Sequence, residues 1–173
     1  AGDSRIEFFL ATKDPNGNCT NGIEHIYTYQ AKSANEYAKV SNWPREKYLN
    51  VWSFIDIPEP PNQNGIILGY ANFPSSVATQ ENNNFGAPNH VKDGYVILAS
   101  QIGIGGTTTP HEIGHWLNLP HPWGNGTMGA ACGDDGVDDT PITKGAFGCP
   151  INNIPSVTNT CMFPTVNPGN PAG

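Results

Sequence analysis

Residues His111-Glu-Ile-Gly-His-Trp-Leu-Asn-Leu-Pro-His121 contain three of the five histidines in this chain of 173 residues. On a helix, His111 and His115 lie four residues apart, so their imidazole rings leave the same face about one turn from each other. Two rings in that arrangement can bind one metal ion, and a glutamate directly after the first histidine is typical of zinc sites. The stretch therefore predicts a helix that carries one catalytic zinc ion.

Glu112 is the candidate catalytic residue. Its carboxylate can hold a water molecule on the metal, take the proton as that water attacks a carbonyl, and pass the proton to the leaving amine. A zinc ion in such a site lowers the pKa of the water and polarises the carbonyl. We therefore predict that Glu112 acts first as a general base and then as a general acid.

His121 is the candidate third ligand. It follows His115 by six residues, a spacing at which a straight helix would point its ring away from the first pair. The helix must therefore end between them, and asparagine is the residue after glycine that best tolerates a left-handed helix end. We predict a positive φ at Asn118, and we predict that Trp116 and Leu117 are core contacts of the helix.

The eleven-residue stretch resembles the zinc signature of the metzincin metallopeptidases, with Asn118 where glycine is usual. The wider chain resembles the pappalysin family, including its bacterial cytophagalysin-like members. Such proteins are zinc endopeptidases, usually secreted and often calcium-binding, so the resemblance implies a protein or peptide substrate. The segments that carry it are Tyr48-Leu-Asn-Val-Trp52, Leu68-Gly-Tyr-Ala-Asn-Phe-Pro74, Asp93-Gly-Tyr-Val-Ile97, Pro110-His-Glu-Ile-Gly-His-Trp-Leu117 and Cys132-Gly-Asp-Asp-Gly-Val-Asp-Asp-Thr-Pro141.

The expected fold is an α+β or α/β zincin with a central zinc-binding helix. The resemblance implies a twisted, mainly parallel sheet with an antiparallel edge strand, which would pair with an extended substrate. The length favours one catalytic domain over residues 1–173, with 1–121 as an upper subdomain and 122–173 as a loop-rich lower one. Residue patterns predict strands at 5–11, 48–56, 65–71 and 94–100, an extended piece at 23–29, a short helix at 31–40, and a zinc helix starting near 107–109.

Composition excludes some classes of partner. The net charge is -7, and no lysine or arginine lies between Lys92 and Lys144, so the candidate site lacks the basic surface of a nucleic-acid-binding protein. The apolar runs are too short to span a membrane. The high glycine and proline content suggests a secreted, loop-rich protein. The first residues do not resemble a signal peptide, so we expect any signal or pro-segment to have been removed or left out.

Four cysteines, Cys19, Cys132, Cys149 and Cys161, allow three full pairings. No Cys-x-x-Cys pair is present to suggest a cysteine zinc site. The family resemblance implies a disulfide bond between Cys132 and Cys161. Cross-links are expected in this part of the chain because few apolar residues are available there to form a core.

Carboxylates crowd the segment after Cys132. Such groups repel one another unless a cation or solvent lies between them, and calcium accepts six to eight oxygens from flexible loops. The resemblance implies a structural calcium ion, and the alternative is a solvated acidic turn. The candidate ligands are Asp134, Asp135, Asp138, Asp139 and Thr140.

Metzincins carry a methionine turn beneath the zinc, followed in this family by a tyrosine. Met162 is the candidate here, but no tyrosine follows Tyr95. We therefore expect the chain to stop before the true turn. Glu112 favours an endopeptidase because a structural site has no use for a base, whereas the missing tyrosine favours a weakly active or non-catalytic zinc-binding or adhesion module. A zinc hydrolase that acts on other substrates stays open.

Overall fold

The structure is a computed structural model, and it describes residues 5–32, 34–59, 65–74, 92–103, 105–124, 132–137, 142–145 and 161. Cys149 and Met162 lie outside the described residues, as do Asp138, Asp139 and Thr140 of the acidic segment. The chain divides into two compact units, Ala1–Asn118 and Leu119–Gly173. No helix among the described residues is long and apolar enough to cross a membrane.

A three-stranded sheet forms the centre of the first unit. Its strands are β1 (Val51–Phe54), β2 (Gly69–Ala71) and β3 (Tyr95–Leu98), in the order β1-β3-β2. β3 is the middle strand. Its apolar run is almost wholly buried, as expected for a strand covered on both faces. Each strand lies inside a predicted segment and is shorter than predicted.

The sheet is mixed. β3 runs parallel to β1, with Val51 opposite Tyr95, and antiparallel to β2, with Gly69 opposite Ile97. Among the described strands, β2 is therefore an edge strand, and it runs antiparallel to its neighbour β3. This arrangement is consistent with the antiparallel edge strand that the resemblance implies, and it places that edge at β2.

Helix α1 (Thr108–Trp116) packs against β2 and β3. It begins where the sequence predicts, with Pro110 in the first turn, where no backbone donor is needed. The Thr107 side chain makes no capping hydrogen bond, but the Thr108 hydroxyl donates to Gln101 Oε1 at 3.1 Å. These contacts hold the start of α1 against the segment that follows β3.

The apolar core of the first unit is small. Ala34, Ile57 and Val96 are buried together, and partly buried apolar side chains surround them. Those from the strands and their flanks are Trp52, Phe54, Ile67, Tyr70 and Leu98. The sheet is therefore held by residues outside the strands, such as Ala34, Ile57 and Ile67, as well as by its own strands.

Lys39 is a fully buried lysine beside this core. Its ammonium lies 2.7 Å from the Glu36 carboxylate and about 5 Å from the ring centroids of Trp52 and Tyr70. Burial lowers the pKa of Lys39, and the carboxylate opposes that change. Glu36 also accepts a hydrogen bond from the Lys92 backbone at 2.9 Å. The pair thus ties residues 36–39 to the approach to β3.

The predicted strand at 5–11 and the predicted helix at 31–40 are wrong. Residues 5–11 and 23–28 form no strand, and Phe9 is 81% exposed, because these apolar side chains find no core to cover them. Residues 31–40 do not form one helix, since buried Ala34 has a φ of 41°, which interrupts it. Two 3-10 helices, Tyr29–Lys32 and Glu36–Ala38, take its place, and Asn35 caps the second by accepting from Tyr37 N at 3.0 Å.

The second unit has little regular structure in its described part. Strands β4 (Cys132–Gly133) and β5 (Thr143–Lys144) pair antiparallel. A disulfide bond joins Cys132 to Cys161, whose backbone N–H donates to Ile142 O at 3.2 Å. This is the pairing that the resemblance implied. Cys19, in the first unit, is a free, exposed thiol.

Candidate metal centre

The three predicted histidines come together within one continuous segment. One ring nitrogen from each of His111, His115 and His121 lies within 4.8 Å of the others. The Nε2 atoms of His111 and His115 are 3.1 Å apart. Nitrogens that bind one tetrahedral zinc ion at about 2.0 to 2.1 Å lie roughly 3.3 Å from one another, so the donor set fits zinc in its chemistry, and the His111–His115 pair has nearly that spacing.

The turn after α1 places the third histidine. Asn118 has a φ of 72°, the left-handed conformation predicted for this position. Its backbone N–H donates to His115 O at 2.9 Å, and Leu117 N–H donates to Ile113 O at the same distance. The last carbonyls of the helix are therefore satisfied while the chain changes direction. Beyond the turn, the ring of His121 stacks on Trp123 with 4.4 Å between centroids.

Glu112 is buried, with 4% of its surface exposed. Its Oε2 atom is buried and has no hydrogen-bond partner among the described residues. Burial raises the pKa of Glu112 to about 7. A buried carboxylate normally has hydrogen-bond partners, so an unpartnered oxygen beside a metal-binding group indicates a functional group rather than a structural one.

The imidazoles of the centre affect each other. Burial lowers the pKa of His111, and the neighbouring His115 lowers it further. A lowered pKa favours the neutral imidazole, which is the form that binds a metal. The ring of Phe73, just after β2, meets the edge of His115 at 5.3 Å between centroids, so an apolar side chain limits the movement of that ligand.

Two contacts at the site were missed from the sequence. Asp93 accepts a hydrogen bond from Trp116 Nε1 at 2.9 Å and so ties the start of β3 to the last turn of α1. A side chain at Gly69 would collide with the Val96 carbonyl oxygen and press against Glu112. An isolated glycine in a strand is a known sign of close approach, so the signal for Gly69 was present. No pattern along the chain indicated the pairing of Asp93 with Trp116.

The prediction of core contacts at the end of α1 is wrong for Leu117, which is 42% exposed, and holds in part for Trp116. Trp116 is half-buried because its ring turns towards Asp93 rather than into the apolar cluster. Both side chains line an open cavity of about 310 Å³, together with Arg45, Pro74 and Asp93.

The acidic segment is described only in part. Asp134 accepts from Gly136 N at 2.8 Å, and Asp135 accepts from Val137 N at 3.0 Å. Both are local turns that aspartate forms without a cation. Among the described residues, the three histidines form the one group able to hold a metal ion. The calcium site stays a prediction.

A helix with two histidines and a buried glutamate, followed by a left-handed turn and a third histidine, defines the zincin class of metallopeptidase folds. Residues 32–171 match the peptidase family model (M43) described as Pregnancy-associated plasma protein-A. That match covers most of the chain, which therefore belongs to this family of metallopeptidases, the pappalysins.

Curated relatives and a solved structure agree with this assignment. An "Extracellular metalloprotease" from Verticillium alfalfae is 34% identical over 73% of this chain and 43% of its own. "Extracellular metalloprotease 1" from Coccidioides posadasii is 31% identical over 70% of this chain and 42% of its own. Mature mirolysin from Tannerella forsythia, solved with a cleaved peptide, superposes with a TM-score of 0.58 at 34% identity, over 82% of this chain and 52% of its own. The chain thus spans less than half the length of these two curated relatives.

Proposed function

We propose that this chain is the catalytic part of a secreted zinc endopeptidase that hydrolyses peptide bonds. The observation that carries the proposal is the buried, unpartnered Oε2 atom of Glu112 next to three converging imidazoles. Ligands alone are enough for a structural zinc ion, and a buried carboxylate without a hydrogen bond is costly to keep. A role of Glu112 in proton transfer would explain why the chain keeps a buried carboxylate at that cost.

Each residue of the centre has a distinct part in the proposed mechanism. His111, His115 and His121 hold the zinc ion through one ring nitrogen each. When bound, zinc supplies a Lewis acid that polarises the scissile carbonyl and makes a water molecule more acidic. Glu112 orients that water, accepts its proton on a carboxylate oxygen, and donates the proton to the amine as the peptide bond breaks. Burial raises the pKa of the Glu112 carboxyl and so helps it to hold the proton, whereas the charge of a bound zinc ion would act in the opposite direction.

Strand β2 is the proposed docking edge for the substrate. In the described part of the chain it pairs with β3 along one side and lies at the end of the sheet. An extended peptide can add to such an edge through main-chain hydrogen bonds. α1 packs directly against β2, so a peptide on this edge would lie close to the histidines.

The relatives named as extracellular and the disulfide bond support the proposed location. Disulfide bonds persist in oxidising compartments and are rare in the cytosol. The cleaved peptide in the mirolysin structure supports a peptide substrate for this chain.

The test is a proteolysis assay on an unfolded protein, with and without a zinc chelator, comparing the parent with Glu112→Gln. We expect the chelator to abolish cleavage, and Glu112→Gln to lower kcat/KM by about 100-fold to 10,000-fold, the usual value of a general acid or base. The bound zinc, measured by metal analysis, should stay at one ion per chain in both proteins.

Glu46→Gln is the matched control because Glu46 is an exposed carboxylate of the same unit. It should cleave at the parent's rate. Cleavage that survives Glu112→Gln would overturn the proposed mechanism. A parent protein that binds one zinc ion and cleaves nothing would instead be a zinc-binding module without catalytic activity.

A further inference from the structure

Gly69, the first residue of β2, lies against the side chain of Glu112. A Cβ atom at position 69 would lie 3.1 Å from both Cγ and Oε1 of Glu112, and 2.8 Å from the carbonyl oxygen of Val96. The first contact is with the flexible end of a side chain, and the second is with the backbone of the middle strand. A side chain at position 69 therefore requires β2 to shift relative to Val96, and it also requires Glu112 to give way by a few tenths of an ångström.

Among the described glycines, position 69 is the one whose nearest neighbouring atoms include the Glu112 side chain. At Gly65, four residues earlier, a Cβ atom would have no heavy atom within 4 Å, and the same is true at Gly103. Glycine within a strand costs stability because it loses more conformational freedom on folding and contributes no packing. The presence of glycine at position 69 is explained by the close approach of Glu112 and of the Val96 backbone.

We propose that Gly69 is the positioning residue for Glu112: the bare backbone of β2 at this point forms a surface that holds the carboxylate in place. The effect of Gly69 on catalysis rests on the proposed function of Glu112. With Oε1 close to that surface, Oε2 is the oxygen that has no protein partner among the described residues. Contact on one side restricts the rotation of a flexible carboxylate and favours one geometry for proton transfer.

A steady-state assay of Gly69→Ala against Gly65→Ala tests the catalytic part. We expect Gly69→Ala to lower kcat by about 100-fold, because displacements near 1 Å have that effect on oriented groups. KM should change far less, and zinc affinity, measured by competition with a coloured chelator, should equal that of the parent. Gly65→Ala should match the parent in all three quantities.

An unchanged kcat in Gly69→Ala would overturn the inference. A zinc affinity that falls in step with kcat would overturn it as well, since it would show general damage to the centre. These outcomes are separate from the proposed function, which fails only if Glu112→Gln keeps its activity or the parent has none.

Thermal unfolding of the metal-free protein tests the contact without any assay of activity. Gly69→Ala should lower Tm in the parent, and its effect should be smaller by at least about 2 °C when Glu112→Ala has removed the carboxylate, because neighbouring residues are not additive. Equal losses of Tm in both backgrounds would show a clash with Val96 alone and would overturn the inference. If Gly69→Ala does not fold, recovery of folding in the double variant supports the contact, and failure of both counts against it.

Discussion

Asn118 carries a backbone conformation that most residues avoid. Its φ of 72° turns the chain from α1 towards His121. We expect Asn118→Ala to destabilise the fold by about 1 kcal/mol, since the left-handed region costs about that much for a residue with a Cβ and no local hydrogen bond. Asn118→Gly should equal or exceed the parent in stability. Urea unfolding of the three proteins measures the differences.

The ligand geometry gives a second measurement for Asn118. Alanine at this position favours continuation of the helix, which would point residue 121 away from the first two histidines. The zinc affinity of Asn118→Ala should therefore fall, whereas that of Asn118→Gly should not. Equal zinc affinity in the two variants would show that the turn does not depend on residue 118.

Tyr70 joins two elements of the first unit. It lies in β2, and its hydroxyl donates to Ala34 O at 3.0 Å, in the segment between the two 3-10 helices. Burial raises the pKa of Tyr70, and the charge of Glu36 raises it further. The phenol therefore keeps its proton in the folded chain at pH values where it loses the proton in the unfolded chain.

The sign of the pH dependence follows from linkage. A raised pKa means that Tyr70 contributes its full stability below about pH 10 and loses it as the pH rises above that value, because only the unfolded chain then releases the proton. Between pH 8 and pH 11 the parent should lose up to about 1.4 kcal/mol more stability than Tyr70→Phe.

Tyr27→Phe is the control for this experiment because Tyr27 is fully exposed. Its loss of stability between the two pH values should match that of the parent. Tyr70→Phe should also be less stable than the parent by about 1 kcal/mol at pH 8, since the hydrogen bond to Ala34 is lost. A parallel pH dependence in all three proteins would contradict the burial of this phenol.

In its described part, the second unit is cross-linked by a disulfide bond. Its described strands are two residues long, and the Cys132–Cys161 bond closes a loop with a sequence separation of 29. Loss of a cross-link of that span costs about 3 to 4 kcal/mol in the chain-entropy model. We expect the double substitution of Cys132 and Cys161 by serine to open residues 119–173 to proteases while residues 1–118 stay protected.

Limited proteolysis followed by mass spectrometry measures this difference between the units. Cys19→Ser is the matched control because Cys19 is a free thiol in the first unit, and its cleavage pattern should be that of the parent. Equal protection of residues 119–173 with and without the disulfide bond would show that other contacts hold the second unit.

Spacing along the chain was sufficient to predict some features that depend on neighbouring residues. The intervals from His111 to His115 and from His115 to His121 predicted that the three imidazoles converge, and the need for a turn between them predicted the positive φ of Asn118. Short apolar runs predicted where β1, β2 and β3 lie. These features follow from the periodicity of helices and strands and from the few backbone conformations open to each residue.

Which residues are buried, and which distant segments pair, was decided only by the tertiary structure. Residues 5–11 have the composition of a strand, but they form none because a strand requires a partner and a core to cover it. The raised pKa of Glu112 and its contact with Gly69 arise where β2 lies against α1, more than forty residues apart in sequence. Desolvation and close approach are properties of surroundings in space, so local sequence rules do not predict them.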